Sequence, residues 1–202
     1  MTTLTRLIPR HDILDLGDYE RRRDEIRAAA IAARKLHRVT VGANVILSFE
    51  NRETLTYQIH EMLRTERIAK EPEVLHEIDT YSELLPAPNE LSATMLIEFP
   101  VKEERDVRLV ELLGLERHLR IEFEGAGSAS ATFDQRQIDV ERISSVQFVR
   151  FSLSALQVAA LRGSAAVTVV SDHPHYTHST AISAATIDAL VADLDEAKAM
   201  EA

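Results

Sequence analysis

The sequence predicts an α+β fold, a mainly antiparallel sheet covered by three or four helices. Three observations carry that expectation. Apolar residues alternate with polar ones in several stretches, the period of half-buried strands, while in others they recur at helical spacing. The strand-like stretches are joined by short turns rather than by regular helical crossovers, which favours antiparallel pairing. With 202 residues, 45% of them hydrophobic, the chain can fill one substantial core, and residues 1–202 are read as a single domain.

The first helix is expected from Asp18, as its cap, to about Leu36, in a run rich in the Ala and Arg that favour helix. Its apolar face is Tyr19, Ile26, Ala30 and Ala33. From Val39 to Phe49 odd-numbered apolar residues alternate with mostly polar ones, which reads as one long strand. Asn51 to Glu53 then turns the chain into a strand from Thr54 to Gln58, followed by a helix from Ile59 to Ala69. Pro72 suits the start of the next helix, whose core face is Val74, Ile78, Tyr81 and Leu85 and which ends before Pro86. Strands are expected at Leu91 to Phe99, His118 to Phe123, Ser130 to Phe133, Val146 to Leu153 and Ala165 to Ser171. A helix from Ser154 to Arg162 stops at Gly163, and Thr186 to Lys198 makes the closing helix.

Candidate functional residues concentrate in the central stretch. Glu66 continues the spacing of Ile59 and Met62, so it is either a partly buried carboxylate needing a cation, donor or proton, or an exposed edge residue. A polar cluster is expected around it from Gln58, Glu61 and Arg64 of its own segment and His76 and Glu77 of the next helix. Glu73 and His76 have the Glu-x-x-His spacing of a di-iron bundle helix, but no second such pair exists in the chain. Three histidines fall in the segment from Asp172 to His178. Glu61, Glu66, His76 and His173 are therefore the candidate ligands for a divalent metal, the one cofactor the residue types suggest. On the first helix, Arg23, Arg27 and Arg34 share a stripe that either grips a phosphate or an acidic protein surface, or is solvated beside acidic neighbours of its own fold.

Composition removes several classes of function. The net charge of −10 argues against general affinity for nucleic acid or anionic membrane, although residues 1–40 hold nine Lys and Arg against six Asp and Glu. The absence of cysteine excludes disulfides, thiol nucleophiles and cysteine-ligated iron–sulfur clusters. No apolar N-terminal region or membrane-length apolar run is present, so a cytoplasmic location is expected. No phosphate-binding glycine loop, dinucleotide fingerprint, His-Glu-x-x-His or nucleophile elbow occurs.

Phe49-Glu50-Asn51-Arg52, the run QIHEMLRTERI from Gln58 to Ile68, ELSATMLIE from Glu90 to Glu98, SVQFVRF from Ser145 to Phe151, and Asp172-His173-Pro174 with Tyr176 together resemble a bacterial family catalogued as domain of unknown function 3501. The resemblance covers nearly the whole length. It assigns no catalytic residue and implies an association with rubrerythrin-like or iron–sulfur redox proteins. Two functional expectations follow: an accessory protein that docks on such a redox partner, and a metal-dependent enzyme or metal-binding protein using the Glu and His residues above.

Overall fold

The computed structural model describes residues 7–134, 136, 141–163 and 165–200; residues 1–6 and 201–202 of the expected single unit lie outside them. In chain order the elements are α1 (Leu16–Leu36), β1 (Arg38–Val41), β2 (Val45–Glu50), α2 (Arg52–Thr65), α3 (Glu71–Ser82), β3 (Glu90–Ile97), α4 (Lys102–Glu111), β4 (Leu119–Phe123), β5 (Gly127–Phe133), β6 (Val146–Ser152), α5 (Ala155–Arg162), β7 (Val167–His173), β8 (Tyr176–Ala181) and α6 (Ala184–Ala199). The fold is α+β. The eight strands form one sheet in the order β1-β2-β3-β6-β5-β4-β7-β8, and every pairing is antiparallel.

The sheet curls until β8 comes back beside β1, which makes it nearly a barrel. Its inward side chains form the main core: Val41, Leu47 and Phe49 from β1 and β2, Met95 from β3, Ile121 from β4, Val149 and Phe151 from β6, and Val169 from β7. Leu109, Leu112 and Leu115, in and after α4, and Leu161, Leu190 and Leu194 of α5 and α6 belong to the same cluster. Tyr176 stitches β8 to the β1–β2 turn. Its hydroxyl donates to the Val41 carbonyl at 2.6 Å and accepts from the Asn44 and Val45 amides.

The long strand expected from Val39 to Phe49 is in fact a hairpin. Val41 pairs with Val45 across a three-residue turn, and an odd-length turn leaves both flanking residues on the inner face. The alternation therefore runs through the turn unbroken. Gly42 makes the turn with φ +66°, and a Cβ there would lie 2.7 Å from the His178 ring and the Tyr176 hydroxyl.

The segment from Thr54 to Gln58 is helix, not strand. Asn51 caps α2 by accepting from the Thr54 amide, and the Thr54 hydroxyl accepts from the Asn51 amide in return. Leu55, Ile59 and Leu63 then fall four residues apart and are buried, each contributing about 2 kcal/mol. Similarly, α1 is capped by Asp15 rather than Asp18. Neither α4 nor β8 is among the elements the periodicity predicts, and α4 has only Leu109 buried along its length.

The helices number six rather than three or four. α1 packs on α2 and α2 on α3, around a second apolar cluster that includes Ile8, Ile13, Leu55, Ile59, Leu63, Val74, Ile78 and Leu85. Among the described residues, no helix is long and apolar enough to cross a membrane.

Candidate functional site

Between α1, α2 and α6 lies a cleft of about 770 Å³, within the size range of small-molecule sites. Leu14, Ile26, Ala29, Ala30, Ala189 and Ala192 give it apolar walls. Asp12, Glu25, Glu53, Asp193 and Glu196 set five carboxyl groups against the two guanidinium groups of Arg22 and Arg52. His37, Asn51, Thr56, Tyr57 and His60 complete the polar lining.

The inner end of the cleft is locked by a buried network. His37 sits at the α1–β1 junction and Asp193 on the apolar stripe of α6, between Leu190 and Leu194. His37 Nδ1 lies 2.8 Å from the Ala33 carbonyl and Nε2 lies 2.8 Å from Asp193 Oδ2. Both ring nitrogens therefore face oxygen acceptors, and the Asn51 side-chain nitrogen also lies 3.3 Å from Nε2. Burial alone would lower the His37 pKa, but the hydrogen bonds to Asp193 and Ala33 outweigh it and the net shift is upward. The second carboxylate oxygen of Asp193 accepts from the Asn51 amide at 2.9 Å. Since Asn51 also caps α2, a single contact set joins α1, the β2–α2 junction and α6.

The other ring in the lining is held differently. His60 is stacked on Tyr19 with centroids 4.6 Å apart, and its Nε2 accepts from the Leu14 amide at 2.9 Å. That bond assigns the proton of the neutral ring to Nδ1, which is buried on the Thr56 side of the ring. Burial lowers the His60 pKa; a backbone hydrogen bond with Thr56 opposes this, and the positive charge of Arg22 adds to it. Arg52 is ion-paired with Asp12. At the opposite wall, partial desolvation of the Glu196 carboxyl, on a residue that is exposed overall, raises its pKa; Arg52 opposes this, and the negative charges of Asp193, Glu53 and Asp12 add to it.

The residues singled out from sequence do not form one site. Glu61 is gripped by Arg23, at 2.8 and 2.9 Å, and by the Tyr19 hydroxyl, and the Arg23 hydrogen bond takes the lead in pulling its carboxyl down to about 2. Arg64 pairs with Glu20. Arg34 lies over the Tyr57 ring, 5.4 Å from its centroid, while Arg27 is exposed. Glu66 is exposed at the end of α2, because Leu63 rather than Met62 continues the buried stripe. His76 is also exposed and Glu77 half-buried on α3, so the polar cluster expected around Glu66 does not assemble there.

The buried carboxylate of the central stretch is Glu50. It accepts from the Thr54 hydroxyl at 2.6 Å, the Gln58 amide at 3.0 Å and the Thr94 hydroxyl at 2.7 Å. Of the expected cluster, Gln58 alone meets it.

His173 points into the end of the barrel, where Nε2 lies 3.0 Å from the Leu113 carbonyl and Nδ1 accepts from the His175 amide. Its ring is 5.2 Å from that of His118, which is bonded to Asp172. Glu61, Glu66 and His76 lie in other parts of the fold, and among the described residues no group of three or more His, Asp or Glu side chains is placed to hold a metal ion.

His37, Asp193 and Glu196 were not reached from sequence. One signal existed: Asp193 lies on the stripe of Leu190, Leu194 and Ala197, and a carboxylate in that position requires a partner.

A nearly closed antiparallel barrel carrying a helical layer, with a polar cleft among the helices, is the class of protein defined by fold and site. Over residues 7–194 the chain matches the family described as Protein of unknown function (DUF3501), and it belongs to that family. A crystal structure described as that of a novel protein of unknown function from Burkholderia pseudomallei is similar, with 32% identity and a TM-score of 0.86 over 93% of this chain and 98% of that chain. No curated protein matches the chain.

Proposed function

We propose that the protein binds a small organic cation in the cleft between α1, α2 and α6. The observation that carries this reading is the excess of carboxyl groups there. Asp12 is engaged by Arg52 and Asp193 by His37, which leaves three further carboxyl groups, Glu25, Glu53 and Glu196, for one further guanidinium, Arg22, with Arg52 also acting on Glu196. The apolar walls suit the methylene or ring portion of an amine. Binding is favoured over catalysis because both His37 nitrogens are committed to fixed acceptors and the His60 ring is buried, so neither offers a free base at the cleft surface.

Calorimetric titration with spermidine, agmatine and phenethylamine, against carboxylates of matched size, tests the reading. The amines should bind and the carboxylates should not, and replacing both Glu53 and Glu196 by Gln should weaken amine binding about tenfold, as expected when two exposed charge pairs are lost together. Equal binding of amines and carboxylates, or no binding of any amine, overturns it. A partner protein is a second proposal. Its identity as a rubrerythrin-like or iron–sulfur redox protein rests on the family resemblance alone.

A further inference from the structure

Asp193 is buried and yet lines the inner end of the cleft, with a different partner on each carboxylate oxygen. His37 Nε2 lies 2.8 Å from Oδ2, and the Asn51 side-chain amide donates to Oδ1 at 2.9 Å. The same amide nitrogen stands 3.3 Å from His37 Nε2. On the far side of the ring, Nδ1 lies 2.8 Å from the Ala33 carbonyl. A carbonyl only accepts, so Nδ1 carries a proton in either charge state of the ring, and Nε2 is the nitrogen that can lose one.

These contacts provide two hydrogen-bonded arrangements for one set of atoms. With Nε2 protonated, the imidazolium donates to Oδ2 and Asn51 to Oδ1. With Nε2 bare, the second hydrogen of the Asn51 amide is placed to be donated to it, and Oδ2 is left in need of another cation. We infer that an ammonium or guanidinium group entering the cleft takes over Asp193 and displaces the His37 proton. One cation enters and one proton leaves, from Nε2 to solvent, so the charge of the inner end is unchanged while Nδ1 keeps its bond to Ala33. The exchange presupposes the cation binding proposed above and makes Asp193 the residue that receives the charged group.

The charged groups sharing the cleft with His37 are Arg22 and Glu25 of α1, Arg52 and Glu53 of α2 and Glu196 of α6, besides Asp193 itself. Asp12 is tied to Arg52. The arginines stay charged. Burial, against a hydrogen bond with Thr56, lowers the His60 pKa and keeps that ring neutral above 6.5. Partial desolvation raises the pKa of Glu196, which makes it a second group able to release a proton when a cation binds.

Calorimetric titration of agmatine into the full chain, in two buffers of different ionisation enthalpy, counts the protons released. At about pH 6, below the raised His37 pKa, about one proton should leave per agmatine bound, and affinity should rise by up to about tenfold per pH unit until His37 has titrated. Nitrogen-15 spectra of the histidine rings should show His37 passing from imidazolium to the neutral ring, with its proton on Nδ1, as agmatine is added. Glu196→Gln should keep the proton release, whereas Asp193→Asn should weaken binding and abolish it. Agmatine binding with no proton released, a His37 ring that stays charged in the complex, or proton release lost in Glu196→Gln overturns the exchange and leaves cation binding in place. Absence of agmatine binding removes both. The wild-type spectra decide between these outcomes even where Asp193→Asn fails to fold.

Discussion

His37 and Asp193, 156 residues apart in sequence, meet at 2.8 Å with side chains only 7% and 10% exposed. Removing one partner of a buried pair leaves the other desolvated and uncompensated, so Asp193→Ala should cost about 3 kcal/mol. The pair also fixes a pH dependence. The folded His37 pKa is raised above its usual 6.5, so its contribution is full below that value and is lost as pH rises through the folded one. Urea titrations should show this decline as pH rises above 6.5 in the wild-type protein and its absence in Asp193→Asn. A parallel decline in both would remove His37 as its source.

Glu50 presents the opposite arrangement, a buried carboxylate held by neutral donors. Glu50→Gln keeps the shape but sets an amide donor against the Thr54 and Thr94 hydroxyls and the Gln58 amide. A loss of about 2 kcal/mol is expected from the resulting unsatisfied groups. Chemical denaturation measures it, and unchanged stability would show that the pocket re-forms its hydrogen bonds.

Two glycines separate backbone strain from close approach. Gly42 and Gly125 have φ of +66° and +73°, but a Cβ meets His178 and Tyr176 at the first and nothing within 4 Å at the second. Gly125→Ala should cost about 1 kcal/mol, the backbone cost alone. Gly42→Ala should cost clearly more, because Tyr176 must give up contacts that join β8 to the β1–β2 turn. Equal losses would mean that this junction yields without cost.

The Arg23–Glu61 pair should appear in acid. Arg23 leads in drawing the Glu61 carboxyl from its usual 4.5 to about 2, so the pair's contribution is present above the higher value and disappears as pH falls through the lower. Arg23→Gln should flatten the acid limb of stability measured between those values. An unaltered limb would assign acid sensitivity to other carboxylates.

Much of the strand and helix content was legible because burial follows period: β6, α3 and α5 fall close to where alternation and capping place them. Two errors have local causes. The three-residue turn at Gly42 preserves inward parity, so alternation could not reveal it, and Thr54 to Gln58 alternates by chance in a segment whose Asn51 cap commits it to helix. The site was less legible. Gln58, Glu61 and Arg64 were found as polar residues near a core face, yet their partners Glu50, Arg23 and Glu20 could be matched only by tertiary packing. The distant pairing of His37 with Asp193 left only one trace in sequence, a carboxylate on an apolar helix stripe.

The central claim is that the cleft between α1, α2 and α6 is where a cationic ligand binds. Ala192 is an exposed α6 residue on the cleft wall, outside the His37–Asp193–Asn51 network, so Ala192→Trp fills the space while leaving the fold's buried contacts intact. Calorimetric titration of the tightest-binding amine into this variant should show affinity reduced at least about tenfold, with the melting temperature unchanged. Affinity equal to that of the wild-type protein would place the ligand elsewhere and contradict the account.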